Sequence, residues 1–314
     1  LNIGARFDDR VTGRIDAFSP GSCKIHCDID PSNINKNVAV DLAVVGDARL
    51  ILSTLIAAWK AEPAAQDGAA LARWWRQIEL WRARNCLSFY QDETPGAVIR
   101  PQHAIRRLHE LVVESGRSAY VSTEVGQHQM WAAQYYPFEE PNRWMTSGGL
   151  GTMGYGLPAA LGTQVAHPDA LVIDISGEAS VLMNIQEMAT LAQYRLPVKV
   201  FILNNRYMGM VRQWQELLHG SRYSQSYSEA LPDFVRLAEA FHGTGLRATS
   251  VDQLDGVIRA MLAADGPVIA DICVSETENC YPMIPSGAPH NEMLLGPDQA
   301  ESSRFVSDEG MALV

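Results

Sequence analysis

No uninterrupted apolar run in this 314-residue chain approaches the roughly 20 residues that a membrane-spanning helix needs. Even the stretch from Leu50 to Trp59 is too short and carries polar breaks, so insertion as a membrane helix is excluded. Positive charge is also scarce. Basic residues number 25 against 36 acidic ones, a net charge of -11, which repels nucleic-acid phosphates and anionic membrane surfaces, so neither is expected as a partner. Cysteines are few: Cys23, Cys27, Cys86, Cys273 and Cys280 form an odd, scattered set. In a chain this large they point to reduced thiols and a cytoplasmic setting. No tract is biased enough for disorder, since 47% apolar and 19% charged residues describe an ordinary globular chain. There is no initiator Met or signal peptide at Leu1, and the opening reads as the end of a strand, so the expectation is a truncated beginning.

What is present has an alternating plan. Ile25, Cys27 and Ile29 alternate with polar neighbours over Ser22 to Asp30, the period-two pattern of a strand with one buried face. A helix is predicted from Asp47 to Trp59. Residues 61–100, rich in Ala, Arg, Gln and Trp and holding Pro63 and Pro95, read as a helical connector with a helix near Trp74 to Arg84. Beyond Pro101, helices are predicted at Pro101 to Glu114, Gln127 to Tyr135, Met153 to Val165, Leu182 to Tyr194, Pro232 to Phe241 and Val251 to Ala264. Strands are predicted at Ala119 to Ser122, Leu171 to Ile175, Val198 to Leu203 and Pro267 to Val274. This alternation predicts an α/β fold with a parallel sheet covered by helices on both faces. Ligands of such sheets sit beyond the carboxyl ends of the strands.

Three loops at those ends carry unusual residues: Glu124-Val125-Gly126-Gln127-His128, Gly177-Glu178-Ala179-Ser180, and Asn204-Asn205-Arg206-Tyr207-Met208-Gly209-Met210. The second combines a Gly for close backbone approach, a carboxylate for a hard cation, and small residues opening a helix whose first amides can hold phosphate. Asn205, 27 positions after Glu178, can bring an amide oxygen to the same cation. Singly, each loop has an adequate explanation as a turn, because Gly, Ser and Asn favour turns for local backbone reasons. Together and in this order they resemble the signature of thiamine-diphosphate enzymes, an acidic residue after Gly followed at a set distance by paired Asn.

The resemblance narrows to the catalytic subunit of acetolactate synthase (acetohydroxyacid synthase). It is carried by Val125-Gly126-Gln127-His128-Gln129-Met130-Trp131, by the run from Thr146 through Gly148-Gly149-Leu150-Gly151-Thr152-Met153-Gly154 to Pro158, by Met210-Val211-Arg212-Gln213-Trp214, and by Tyr281-Pro282-Met283-Ile284-Pro285. The beginning, Gly4-Ala5-Arg6-Phe7-Asp8-Asp9-Arg10-Val11 followed by Asp28-Ile29 and Asn33, resembles the second half of that family's FAD-contacting middle domain. The likeness extends over essentially the whole chain. It implies four segments: a partial Rossmann-like middle domain over 1–60, the connector over 61–100, a cofactor-binding domain over 101–285, and a tail over 286–314.

By that resemblance Val125, Gly126, Gln127, His128, Gly151, Gly177, Ala179, Ser180, Gly209 and Met210 surround thiamine diphosphate, and Met153 supports its bend. Glu178, Asn205 and the backbone carbonyl of Tyr207 are the implied Mg2+ ligands. Met210, Val211 and Trp214 border the substrate pocket, Trp214 favouring a second ketoacid larger than pyruvate. FAD, not consumed as a redox partner, is implied at Gly4, Ala5, Arg6, Asp8, Arg10, Val11, Asp28, Ile29, Asn33, Asp47 and Ala48. The implied reaction decarboxylates pyruvate and joins the two-carbon unit to pyruvate or 2-ketobutyrate, the first common step of branched-chain amino acid biosynthesis. Also implied are a homodimer or dimer of dimers, a small regulatory subunit, and an activating Glu on an N-terminal domain of the partner subunit. No residue here takes that last role, so no catalytic residue is assigned and this chain alone is expected to be inactive. One departure is visible: the family has Asp where this chain has Glu178, one methylene longer. Another thiamine enzyme acting on 2-ketoacids, or a non-catalytic remnant, are the alternatives. Trp214 and the FAD-like opening argue against the first, and the intact loop set argues against the second.

Other signals carry no chemistry. In a strand, Cys23 and Cys27 would lie about 13 Å apart at roughly 3.3 Å per residue and could not share a metal, so Cys27 is expected in the core. Trp74, Trp75 and Trp81, at near-helical spacing, are expected to pack on a neighbouring domain or subunit.

Overall fold

The computed structural model describes residues 1–61, 67–85 and 87–297. They form two compact units. One holds the described residues of 1–87 together with those from Tyr281 onward, and the other runs from Ser88 to Cys280. Cys86 and most of the expected tail lie outside the described residues.

The first unit is built on three short parallel strands, β1 (Asn2–Ile3), β2 (Ile25–Asp28) and β3 (Leu42–Val45), in that spatial order. A single-turn helix α1 (Asp9–Thr12) follows β1, and α2 (Ala48–Ala61) follows β3. Helix α3 (Gly68–Arg82) begins earlier than its tryptophans suggest, because Asp67 caps it by accepting from the Ala69 and Ala70 N–H groups. Trp74 and Trp75 are about half exposed, and Trp74 meets Trp81 edge to face at 5.5 Å. Cys27 is in the core and Cys23 is exposed outside β2. Residues after Pro285 belong to this unit: the Arg14 N–H donates to the Ala288 carbonyl, and the Phe18 and His290 rings lie 5.7 Å apart.

The second unit carries a six-stranded, fully parallel sheet. It opens with α4 (Pro101–Glu114), whose Pro sits at the first helical turn and whose Ala104, Ile105, Leu108, Leu111 and Val112 turn one stripe into the core. The chain continues through β4 (Ala119–Thr123), α5 (Gln127–Tyr135), β5 (Trp144–Thr146), α6 (Gly156–Ala166), β6 (Leu171–Gly177), α7 (Glu178–Val181) and α8 (Glu187–Tyr194). It ends with β7 (Lys199–Asn204), α9 (Gly209–Leu217), α10 (Phe234–Ala240), β8 (Thr244–Ala248), α11 (Val251–Ala263) and β9 (Val268–Cys273). The strand order is β5-β4-β6-β7-β9-β8.

Two apolar clusters cover the two faces of this sheet. One gathers Ile105, Leu108, Val121, Ile173, Phe201 and Met261, the other Val172, Met188, Val200, Ile202 and Phe234. Strands β6, β7 and β9 are buried on both faces, which is why they read as nearly continuous apolar runs.

The fold is α/β as the alternation predicts, with differences in detail. The helix expected from Met153 starts at Gly156, and the one expected from Leu182 divides into a 3-10 turn (Leu182–Asn184) and α8. By its compactness, the chain places residues 88–100 with the larger sheet and the residues from Tyr281 with the smaller one.

The strand order creates the site. From β4 the chain steps to β5 on one side, then returns past β4 to β6 on the other, so the order in which strands are added reverses between β4 and β6. A crevice opens at such a reversal, beyond the carboxyl ends of the strands. The register pairs Thr123 with Ile175 and Gly177 with Leu203, which aligns the exits of β4, β6 and β7.

Candidate functional site

The three loops singled out in the sequence leave these three adjacent strands side by side. From β4 the chain passes Glu124, Val125 and Gly126 into α5, whose first amides have no intrahelical acceptor. From β6 it passes Gly177 into α7, with Glu178 as its first residue. From β7 it passes the Asn pair and Tyr207 into α9.

Contacts knit the loops together. His128 lies against the backbone of Gly177: a Cβ there would meet the imidazole Nδ1 at 2.7 Å, so only glycine lets the strand end approach. The same logic holds at Gly209, where a Cβ would overlap Gln127 Oε1. Asn205 Nδ2 donates to Gln127 Oε1 at 3.2 Å, and Gln127 Nε2 donates to the Glu278 carbonyl at 3.0 Å. Gly151 packs near Val125, and Ser180 Oγ donates to the Gly177 carbonyl at 3.2 Å.

Burial sets the electrostatics. Glu178 is 1% exposed, its Oε1 has no hydrogen-bond partner, and burial pushes its carboxyl up to about 7 despite nearby backbone amides of Asn205 and Tyr207. Burial drives the His128 imidazole down to about 3, so the ring is neutral, and its hydrogen bond to the Glu124 carbonyl requires the proton on the nitrogen facing that oxygen. Nε2 is buried without a partner. Two buried acceptors facing no donor are costly in a finished core and natural where a ligand belongs.

Glu124 is fully buried and works on the backbone. Its Oε2 accepts from the Gly154 N–H at 2.6 Å and its Oε1 from the Leu157 N–H at 3.2 Å, which fixes the turn after Met153. Asn184 Nδ2 donates to the Gly154 carbonyl at 2.6 Å from the other side. Beneath lies Asp174, accepting from Ser122 Oγ at 3.0 Å and Ser176 Oγ at 2.5 Å. Burial, with the charge of Glu124 added, pushes Asp174 up to about 8.

Helix α9 presents two faces. Arg212 and Gln213 point inward. Arg212 donates to the Thr277 and Glu278 carbonyls and to Asn279 Oδ1, while Gln213 bonds both main-chain groups of Cys280. Val211 and Trp214, about two-fifths exposed, face outward, with Met210 half-buried beside them.

In the first unit, the residues expected around FAD fall at the carboxyl ends of the three strands. Gly4, Ala5, Arg6 and Asp8 follow β1, and Asp8 caps α1 by accepting from the Val11 N–H. Arg6 donates to Asp8 at 2.9 Å, and Arg10 is exposed. Asp28 ends β2 and accepts from the Asp30 N–H and from Asn33, next to exposed Ile29. After β3, Asp47 accepts from the Arg49 and Leu50 N–H groups, so its carboxylate fills the N-terminus of α2 at Ala48.

Two family models match in the order the two units suggest. Residues 1–55 match the central domain of thiamine pyrophosphate enzymes and residues 124–272 their C-terminal, thiamine pyrophosphate-binding domain. The chain belongs to this family of thiamine-diphosphate enzymes. Within it the chain is a homologue of acetolactate synthase large subunits. It is 42% identical over 304 residues to the large subunit of Haemophilus influenzae, covering 96% of this chain and 52% of that protein. It is 45% identical over 296 residues to the isozyme 3 large subunit of Escherichia coli, covering 93% and 50%. The large subunit of Cyanidium caldarium is 42% identical over 295 residues, covering 94% and 49%. The chain thus spans about half the length of the curated relatives it matches.

Sequence alone carries no signal for the roles of Glu124, Asp174, Gln213 and Cys280. Glu124 and Gln213 sit inside the quoted motifs, but their partners are 30 or more positions away.

Proposed function

We propose that the whole protein is an acetolactate synthase, a transferase that decarboxylates pyruvate and joins the two-carbon unit to pyruvate or 2-ketobutyrate. The observation that carries the reading is Glu178: a buried carboxylate oxygen without a partner, beside Asn205 and Tyr207, where three parallel strands end. Among the described residues there is no cluster of three His, Cys, Asp or Glu side chains. The donor set expected here needs none, since one carboxylate, one amide oxygen and one main-chain carbonyl suit Mg2+ when phosphate oxygens and water complete the shell.

Glu178, Asn205 and the Tyr207 carbonyl would hold the cation. Main-chain amides opening α5 and α7, at Gln127, His128, Ala179 and Ser180, would hold the diphosphate, with Val125, Gly126, Gly151, Gly177 and Gly209 lining it. Met153, on the turn fixed by Glu124, would support the bend of the cofactor. Bound there, thiamine diphosphate supplies the electron sink for decarboxylation, and the protein binds, orients and excludes water. Val211, Trp214 and Met210 would face the second ketoacid.

FAD would lie along the carboxyl ends of β1, β2 and β3. Asp47 already caps α2, so this helix would not offer its first amides to a phosphate. A dimer or dimer of dimers, a regulatory subunit and a cytoplasmic location complete the reading. No described helix is long and apolar enough to cross a membrane. This chain on its own is expected to form no acetolactate.

The test is activity of the full-length protein on pyruvate with and without Mg2+, thiamine diphosphate, FAD and 2-ketobutyrate. Acetohydroxyacid formation that needs all three cofactors supports the assignment. Carbon dioxide release that yields only an aldehyde would move it to a simple decarboxylase.

A further inference from the structure

Gln127, Gln213 and Asn205 form a buried line of three side-chain amides, 2%, 0% and 5% exposed. An amide can point either way, and in isolation nothing decides which end carries oxygen. Here the backbone decides. The Cys280 N–H can only donate and the Cys280 carbonyl can only accept. Gln213 meets both, accepting from the first with Oε1 at 2.8 Å and donating to the second with Nε2 at 3.3 Å. Its orientation is fixed twice over.

Gln127 follows from that. Its Nε2 donates to Gln213 Oε1 at 2.8 Å and to the Glu278 carbonyl at 3.0 Å. Both partners are acceptors, so the NH2 end must face them and Oε1 must face Asn205. Asn205 in turn gives Nδ2 to Gln127 at 3.2 Å, which leaves Oδ1 on the loop side, where it accepts from the Tyr207 N–H at 3.2 Å. Had Gln127 been reversed, Asn205 would turn its NH2 toward the Tyr207 N–H, and two donors would face each other where a cation needs an oxygen.

We propose that Gln213 and Gln127 are positioning residues for the cation site, transmitting the polarity of the Glu278–Cys280 backbone through two amides so that Asn205 presents oxygen to a divalent cation. The proposal rests on the reading of Asn205 and Glu178 as cation ligands. It also assigns the Gln127 side chain away from diphosphate: both its N–H donors are taken by protein, and its free lone pair repels an anion, so its contact with phosphate is through the main chain.

The test is Mn2+ binding to the full-length protein with thiamine diphosphate present, followed by electron paramagnetic resonance, a readout independent of turnover. Gln213→Met, which removes both polar ends, is expected to weaken Mn2+ about tenfold, the usual effect of losing a residue that orients a ligand. The deciding comparison uses Asn205→Asp, whose two oxygens make orientation irrelevant. In that background Gln213→Met should cause no further loss of Mn2+ affinity, since Gln127 is then free to turn its NH2 toward the carboxylate. An equal loss in both backgrounds would mean that Gln213 is merely structural, and would overturn the proposal. Gln213→Asn, one methylene too short to reach both partners, is read the same way should Gln213→Met fail to fold. Failure of the underlying cation assignment gives a different result: Mn2+ binding by the parent that Glu178→Gln leaves unchanged.

Discussion

Glu124 Oε2 accepts the Gly154 N–H at 2.6 Å while its other oxygen accepts the Leu157 N–H, so one buried carboxylate holds both sides of the turn that follows Met153. Glutamine is nearly the same size but has one oxygen. In Glu124→Gln the NH2 group faces a backbone N–H, leaving a buried donor unsatisfied at a cost of about 1–3 kcal/mol. The variant is expected to unfold at lower denaturant concentration and to bind thiamine diphosphate more weakly, as followed by quenching of tryptophan fluorescence. A variant equal to the parent in both would remove Glu124 from the support of Met153.

The neighbouring Asp174 makes stability depend on pH. Burial, then the charge of Glu124, raises its carboxyl from 3.8 to about 8, and burial raises Glu124 as well. The folded protein therefore keeps a proton that the unfolded chain releases near 3.8. The stability this proton supplies is complete below that value and is lost as pH rises through about 8. Asp174 lowers the urea midpoint as pH rises between about 5 and about 8, and Asp174→Asn should remove that share, leaving the similar share of Glu178 and the opposing one of His128, whose imidazole is lowered. A pH dependence identical in Asp174→Asn and the parent would place its origin in the other groups alone.

Close approach at Gly209 gives a third expectation. Any Cβ at this position overlaps Gln127 Oε1, which is held by Asn205 on one side and tied through its own amide to Gln213 and Glu278 on the other. Gly209→Ala must push this line of amides or the start of α9 aside, at a cost of about 1–3 kcal/mol of overpacking. Thermal unfolding should show the loss, whereas Gly220→Ala, at a positive φ but with open space around it, should show strain without disturbing Mn2+ binding.

These relationships explain what the sequence alone could reveal. Strands β6, β7 and β9 are buried on both faces, so their apolar runs are legible, and α4 is legible because its buried residues recur at helical spacing. The edge strands β5 and β8 carry few buried residues and lack that signal. The three loops are legible by composition, because Gly, Glu and Asn at strand ends are residues that bind ligands or make turns. Their interlock is not. Glu124 meets Gly154, Asp174 meets Ser122, and Gln213 meets Cys280 across 30, 52 and 67 positions. Those pairs depend on strand order, which crosses from β4 to β6 only after β5 is placed.

In the proposed function the outward face of α9 would border the second ketoacid. Val211 and Trp214 are 42% and 40% exposed while Arg212 and Gln213 between them are buried, so the helix is anchored by one face and offers the other. Trp214→Leu removes a large apolar surface without touching the anchors. Its product ratio, measured with pyruvate and 2-ketobutyrate in competition, is expected to shift toward acetolactate by about tenfold, the scale of a lost apolar contact in a pocket. An unchanged ratio would take Trp214 out of the acceptor site.

Glu178 lets metal binding and stability be read in opposite directions. Burial pushes its carboxyl up to about 7, and Oε1 finds no partner among the described residues, so the charged form is unfavourable unless the proposed cation is bound. Glu178→Gln removes the charge but keeps the shape. Without metal it should unfold no more readily than the parent, while its Mg2+ requirement should rise by more than the roughly tenfold expected of a residue that only supports a ligand. Glu178→Asp keeps the charge on a side chain one methylene shorter and should retain the cation, because carboxylate oxygen is the donor that Mg2+ prefers and the Asn205 oxygen and the Tyr207 carbonyl are unchanged. If both variants required the same Mg2+ as the parent, the carboxylate would be no ligand, and its unpartnered oxygen would need another explanation.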